Sequence, residues 1–183
     1  MSKKNDIVLA ALNLLGRNGV HATPMSAIAK EAGTGMGTIY NYFPTKEILI
    51  NYIFVYIKTE EKKLFSTFVS TKDLRVQFKE YYSVAVQFYK DNVQYFQFIE
   101  QLHASPIITE ESRDFALKAI GSVYHLIEKG KELGVVKDMQ TKELLQFIAG
   151  SVISHLRWHF RDESEDKASL SNLVQMVWDA IKK

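Results

Sequence analysis

Two histidines, His155 and His159, stand four residues apart in a segment with helical periodicity. This spacing places both imidazoles on one face of a helix, where they can hold a metal ion. Leu156 occupies the position at which an H-E-x-x-H metalloprotease helix carries its glutamate, so that catalytic motif is absent. We therefore expect a polar or interface role for the pair and assign no metal. A complete ligand set would need further groups brought close by the fold, such as Asp162, Glu163 and His103.

The composition leaves little other catalytic chemistry. The 183 residues include no cysteine, which excludes disulfide scaffolds, thiol nucleophiles and cysteine-ligated metal sites. Neither a glycine-rich phosphate loop after a strand nor a G-x-S-x-G elbow occurs in the sequence. We therefore predict no enzyme and no cofactor. No apolar run reaches the length of a membrane span, so we expect a cytoplasmic protein.

Helical periodicity dominates the chain and predicts an all-α fold of about nine helices without a convincing strand. Near the N-terminus, short helices are joined by glycine-containing turns, which is the helix-turn-helix pattern. Gly19 and Gly33 end the first two helices, and Thr23 caps the second helix ahead of Pro24. Thr45 caps a long fourth helix. The predicted helices cover 3–17, 24–32, 36–42, 45–68, 73–90, 93–103, 110–133, 142–161 and 169–181.

The third predicted helix begins with small side chains. The N-terminal end of the second helix in a helix-turn-helix points into the DNA major groove. Gly35, Gly37 and Thr38 leave room there for the backbone to approach DNA closely. Phe43 is expected in the core, whereas Tyr40 suits the core and a DNA contact equally well.

The segment Thr23–Leu49, TPMSAIAKEAGTGMGTIYNYFPTKEIL, resembles the DNA-binding signature of the TetR family of bacterial transcriptional repressors. About 45 residues, including the first helix, take part in this resemblance. Many positions agree over a fixed length, so the resemblance is specific. The matching positions are Ile28-Ala29, Ala32-Gly33, Gly37-Thr38-Ile39-Tyr40, Tyr42-Phe43, Lys46 and Leu49.

The resemblance implies a role for individual residues of this head. Thr38, Tyr40, Tyr42 and Lys46 match positions that commonly touch phosphates, whereas Gly35, Met36, Gly37 and Asn41 match positions that face bases. Asn41 could hydrogen-bond to an adenine edge, and Met36 could contact a thymine methyl group. The predicted DNA-binding set is therefore Thr23, Gly35, Met36, Gly37, Thr38, Tyr40, Asn41, Tyr42, Thr45 and Lys46.

The remainder of the chain is rich in aromatic residues. Taken one at a time, these side chains are expected in an ordinary helical core. The resemblance implies that some of them line a cavity for a small lipophilic or aromatic molecule, because sites between helices are mostly apolar with few polar groups. The predicted ligand-binding set is Phe78, Tyr82, Phe88, Tyr89, Phe96, His103, Tyr124 and His125.

The last two long helices each carry an apolar stripe at helical spacing. Members of the TetR family pair through these helices as a four-helix bundle, so the resemblance implies a homodimer and a palindromic operator. The competing interpretation is that the stripes are buried inside one monomer. The stripe residues are Leu144, Leu145, Ile148, Val152, Leu156, Phe160, Leu170, Leu173, Val174, Val177, Trp178 and Ile181.

The charge distribution supports a division into a DNA-binding domain at 1–46 and a ligand-binding and dimerisation domain at 47–183. The net charge is only +2, but the first 46 residues contain five basic and two acidic side chains, and phosphate attraction depends on such local charge. The expected function is a ligand-responsive transcriptional repressor that releases its operator when a small effector binds. The alternative is an all-α small-molecule carrier or enzyme without DNA binding.

Overall fold

A computed structural model describes residues 2–65, 73–102, 105–161 and 169–183. Within these ranges the chain forms ten α-helices and no strand, and one isolated bridge pairs Val136 with Lys182. The predicted all-α class is confirmed. The helices are α1 (Lys3–Asn18), α2 (Met25–Glu31), α3 (Met36–Tyr42), α4 (Lys46–Phe65), α5 (Leu74–Asp91), α6 (Val93–Leu102), α7 (Glu110–Ala119), α8 (Gly121–Glu132), α9 (Thr141–Arg161) and α10 (Leu170–Ile181).

The tenth helix arises because the segment predicted as one helix over 110–133 is divided. Helix α7 ends at Ala119 and α8 begins at Gly121. Between them Ile120 has a backbone conformation (φ −94°, ψ 21°) outside the α-helical range. Its carbonyl accepts hydrogen bonds from the N–H groups of Val123 and Tyr124, so a new helix starts there. Gly121 follows Ile120 directly, and the low helix propensity of glycine disfavours one continuous helix across this position.

Contacts between residues divide the chain into two compact units. The head unit contains the residues up to Glu60 together with Asn92–Lys118. The body unit contains the described residues of Glu61–Asp91 and Ala119–Lys183. Each unit is therefore built from parts of the chain that are far apart in sequence. The domain boundary after residue 46 stays a prediction.

In the head unit, α1 packs against both α2 and α6. Its buried face contains Ile7, Ala11 and Leu15, which recur at the spacing predicted for one side of a helix. The side-chain oxygen of Gln101 on α6 accepts a 2.7 Å hydrogen bond from the N–H of Val20. The amide nitrogen of Gln101 donates to the carbonyl of Leu15 at 3.1 Å. Helix α6 therefore binds the backbone around the C-terminal end of α1.

In the body unit, α5 contacts α8, α9 and α10. The rings of Phe78 and Trp178 lie 5.3 Å apart, and the hydroxyl of Tyr82 lies 2.8 Å from that of Ser151. The buried aromatic residues of α5 therefore pack against the last two helices of the chain.

The apolar stripes of α9 and α10 largely belong to this core, so the competing interpretation of those residues is correct. Most of them are buried inside one chain because they pack against α5, α8 and each other. The prediction that they form the dimer interface is therefore wrong for the buried members. These are Leu144, Leu145, Ile148, Val152, Leu156, Val174, Val177, Trp178 and Ile181.

Among the described helices, none is both long enough and apolar enough to cross a lipid bilayer.

Candidate nucleic-acid interface

Helix α3 has one buried face and one exposed face. Ile39 is fully buried and holds the helix to the head core, whereas Tyr40 is 45% exposed and Tyr42 is 44% exposed. Gly35, Met36, Gly37 and Asn41 are exposed as well, and Thr38 is half-buried. The structure thus brings the predicted base-facing residues together on the outer face and N-terminal end of one short helix.

A glycine turn sets the entry into α3. Gly33 follows α2 with φ +57°, a left-handed conformation that glycine adopts without strain. The N–H of Thr34 bonds to the carbonyl of Ala29, and the N–H of Gly33 bonds to the carbonyl of Lys30. These two bonds form a Schellman motif, which satisfies the last carbonyls of α2. The predicted helix end at Gly33 is confirmed.

Thr23 does not cap α2. The helix begins at Met25 with Pro24 in the cap position, and no side chain bonds to its first amides. The buried hydroxyl of Thr23 donates instead to the carbonyl of Gly19 at 2.9 Å, with the carbonyl of Leu14 at 3.3 Å. The predicted cap is therefore wrong, because this hydroxyl satisfies carbonyls at the end of α1. Its side chain also presents no group to DNA.

Two of the predicted DNA-binding residues, Thr45 and Lys46, lie at the start of α4. The hydroxyl of Thr45 accepts a hydrogen bond from the N–H of Ile48 at 3.2 Å, which confirms its cap, and it also hydrogen-bonds to the Glu47 carboxylate. Lys46 is half-buried, and its ammonium lies 3.5 Å from the carbonyl of His21. Burial lowers the pKa of Lys46, and the neighbouring Glu47 carboxylate partly offsets this effect.

Two further lysines belong to this region, and their surroundings could not be read from local patterns. The ammonium of Lys3 donates to the carbonyl of Gly33 at 3.2 Å, beside the turn that enters α3. The ammonium of Lys4 lies 4.0 Å from the centre of the Tyr52 ring, a cation–π contact. Both contacts join residues at least thirty positions apart, so only the presence of the charges was visible in the sequence.

The predicted ligand-binding residues are distributed over both units. Phe78, Tyr82, Phe88 and Tyr89 are buried on α5 in the body unit, whereas Phe96 is buried on α6 in the head unit. Tyr124 and His125 are exposed on α8, and His103 lies outside the described residues. The four α5 residues therefore share one helix of the body unit, and Tyr124 and His125 share another.

The body unit also buries polar groups near the α5 aromatics. The hydroxyl of Tyr89 donates to a carboxylate oxygen of Glu61 at 3.3 Å, and Glu61 is itself buried. Burial raises the pKa of Tyr82, partly offset by its hydrogen bond with Ser151. Glu61 carries no local sequence signal of burial, because nothing in its position within α4 distinguishes it from an exposed glutamate.

The histidine pair lies on α9 as predicted. The rings of His155 and His159 are stacked with their centres 6.3 Å apart. Burial lowers the pKa of His155, and the charge of Lys90 lowers it further. No group of three potential metal-ligating side chains occurs within the described ranges. Asp162, Glu163 and His103 fall outside those ranges.

The chain matches two family models that together span nearly its whole length. Residues 7–53 match the model of bacterial regulatory proteins of the tetR family, and residues 54–183 match the model of a tetracyclin repressor-like C-terminal domain. The Fatty acid metabolism regulator protein of Bacillus subtilis (strain 168) is 23% identical over 179 residues, which cover 94% of this chain and 91% of that protein.

Solved structures show the same fold. A TetR-family regulator from Shewanella sp. PV-4 superimposes with a TM-score of 0.89 at 24% identity, with all of both chains covered. The regulator FadR from Bacillus subtilis, solved with stearoyl-CoA, gives a TM-score of 0.74 at 20% identity, with 96% of each chain covered. The helix-turn-helix head, the all-α body and the two family models lead to one conclusion. The chain belongs to the TetR family of bacterial transcription regulators.

Proposed function

We propose that this regulator binds a palindromic operator as a homodimer and represses transcription until a lipophilic effector binds. The observation that carries the proposal is the exposed face of α3. A tyrosine that serves the core is buried, yet Tyr40 and Tyr42 are both exposed, whereas Ile39, directly before Tyr40, is buried and anchors the helix. This arrangement suits a helix that lies in a major groove.

The proposed complex contains two kinds of contact, those to phosphates and those to base edges. Thr38, Tyr40, Tyr42, Thr45 and Lys46 supply hydroxyls and one ammonium for phosphates, which position the head without reading sequence. Gly35, Met36 and Gly37 let the backbone approach the base edges, and Asn41 is the polar side chain that can read an adenine. With few base-reading groups in one head, specificity rests on pairing two heads across a palindrome.

The proposed dimer uses the outer face of α9. Phe147 is 48% exposed, and Gly150, Ser154 and Trp158 follow it at helical spacing on the same exposed side. A glycine inside a helix costs about 1 kcal/mol relative to alanine, yet no described residue outside the adjoining helix backbone lies within 4 Å of a Cβ placed on Gly150. Close approach of a partner helix would explain the small residue. On α10, the exposed Met176 extends the apolar surface.

For the effector, we propose a long-chain acyl-CoA as the first candidate. The support is the similarity along nearly the whole chain to a fatty acid metabolism regulator and to a structure that holds stearoyl-CoA. The buried aromatics of α5, including Phe78 and Tyr82, make the interior of the body apolar, which is the character of most ligand sites between helices. Such a ligand releases DNA only if it binds the DNA-free form more tightly than the DNA-bound form.

A gel-shift experiment tests the proposal. Fragments that flank the chain's own coding region are incubated with purified protein at low salt, and stearoyl-CoA is then added. We expect one fragment to be retarded and to be released by stearoyl-CoA but not by free CoA. Absence of retardation for every fragment would overturn the DNA-binding role. Retardation that persists with stearoyl-CoA would overturn only the proposed effector.

A further inference from the structure

The side chain of Asn51 joins two parts of the head unit. Its amide nitrogen donates to the carbonyl of Ile107 at 2.8 Å and to the carbonyl of Glu47 at 2.9 Å. Its side-chain oxygen accepts a hydrogen bond from the N–H of Thr109 at 3.0 Å. Two carbonyls on one side and an N–H on the other fix the orientation of the amide, because the reversed orientation would lose these bonds.

The partners of Asn51 lie at two helix starts. Glu47 belongs to the first turn of α4, directly after Lys46. Thr109 caps α7, since its carbonyl accepts from the N–H of Arg113 and its hydroxyl accepts from the N–H of Ser112. One amide therefore connects the beginning of α4 to the cap of α7.

The residues of this connection line a groove. This groove, of about 1010 Å³, is lined by residues of α4 and of the segment that leads into and forms α7. Its walls include Ile48 and Tyr52 from α4 and Phe115 from α7, and both Ile48 and Tyr52 are exposed. The hydrogen bonds of Asn51 therefore link the two walls of this groove, while the buried Ile108 adds apolar packing in the same segment.

We propose that Asn51 is a positioning residue for DNA binding, which holds the start of α4 so that Thr45 and Lys46 face the phosphates. This inference rests on the proposed DNA-binding function. A helix is stiff, and Asn51 lies about 7.5 Å along its axis from Lys46. A displacement at Asn51 is therefore passed to the phosphate-contacting turn. The cap of α7 then helps to set the DNA affinity of the head, although it touches no DNA.

A double-mutant cycle between Asn51 and Lys46 tests this role. The dissociation constant for the retarded fragment is measured by fluorescence anisotropy for the wild type, Asn51→Ala, Lys46→Ala and the double variant. Circular dichroism confirms that each variant is folded at the temperature used. We expect Asn51→Ala to weaken binding about tenfold, and to have little further effect once Lys46 is replaced. A purely structural role would give additive effects.

Two further variants provide a second substitution of Asn51 and a control. Asn51→Asp keeps the shape of the side chain but points a carboxylate oxygen at the carbonyls of Glu47 and Ile107. It should therefore weaken DNA binding as much as Asn51→Ala does. It replaces Asn51→Ala if the alanine variant does not fold. Gln94→Ala changes an exposed amide on α6 of the same unit and should leave binding unchanged. With a wild type that binds DNA, two results would contradict the proposal: both Asn51 variants bind DNA as tightly as the wild type does, or the cycle is additive. Either result refutes the proposed role of Asn51 and leaves the DNA-binding function intact. If the wild type retards no fragment, the proposed function itself fails.

Discussion

The side chain of Gln101 on α6 accepts a 2.7 Å hydrogen bond from the backbone N–H of Val20, eighty-one residues earlier in the chain. Val20 is buried, and its N–H is bonded to the side chain of Gln101. The amide nitrogen of Gln101 also donates to the carbonyl of Leu15. This side chain thus satisfies groups just inside and just beyond the C-terminal end of α1.

We expect Gln101→Ala to destabilise the protein by about 2 kcal/mol, because a buried donor is left unpaired. Chemical denaturation followed by circular dichroism measures the change. Gln94→Ala on the same helix serves as the matched control and should cost less than about 0.5 kcal/mol. Equal losses for the two variants would show that the bonds of Gln101 contribute nothing beyond helix propensity.

Thr23 should behave as an internal hydrogen-bond donor. Thr23→Val keeps the shape but removes the hydroxyl that bonds to Gly19, so we expect a loss of about 1–2 kcal/mol in the free energy of unfolding. Thr23→Ser keeps the hydroxyl and should lose less. The comparison is made by thermal unfolding, with Thr34→Val as a control on a half-buried threonine nearby. A neutral Thr23→Val would contradict this assignment.

Two substitutions should separate phosphate contacts from base reading. Lys46→Ala should weaken binding to all DNA sequences alike and reduce the slope of log affinity against log salt by about 1. Asn41→Ala should leave that slope unchanged and relax the preference for one base pair, at a cost of about 1–3 kcal/mol for the preferred site. Anisotropy titrations at several salt concentrations, on the operator and on point variants of it, provide both measurements. If Asn41→Ala also weakens unrelated DNA equally, Asn41 does not read a base.

The outer face of α9 should control assembly. Phe147→Asp places a charge in the proposed apolar interface, so the dissociation constant of the dimer should rise at least about tenfold. Sedimentation velocity over a concentration series measures this change. Leu133→Asp alters another exposed leucine at the end of α8 and should leave assembly unchanged. A wild type that remains monomeric at all concentrations would refute the interface.

The titration of His155 should make the free energy of unfolding depend on pH. Burial and Lys90 lower the pKa of His155 in the folded state, so the unfolded chain takes up a proton there at higher pH than the folded chain does. Stability from this group is therefore fully present above about pH 6.5, and is lost as the pH falls through the lowered value. His155→Gln should flatten the difference in unfolding free energy between pH 7.5 and pH 5.5. An unchanged profile in His155→Gln would contradict the burial effect.

Most local features of this protein follow from the sequence, although Thr23 does not cap α2 and the helix break between α7 and α8 was not predicted. Gly19 and Gly33 have positive φ at the predicted helix ends, and Thr45 caps α4 as predicted. Such turns and caps depend on a few neighbouring residues, and helix periodicity depends on a single helix face. The head signature at Thr23–Leu49 was equally local, since α2, the turn and α3 occupy one short segment.

The tertiary structure decided what each apolar face and each polar side chain contacts. The stripe of α9 that includes Leu144 and Ile148 suits a monomer core and a dimer interface equally well in sequence, because both bury the same apolar area. Only the packing against α5 and α8 placed it inside one chain. The bonds of Asn51 to Thr109 and of Gln101 to Val20 join residues more than fifty positions apart. Periodicity carries no information on such pairs, because their geometry is set by how whole helices pack and not by the residues next to them.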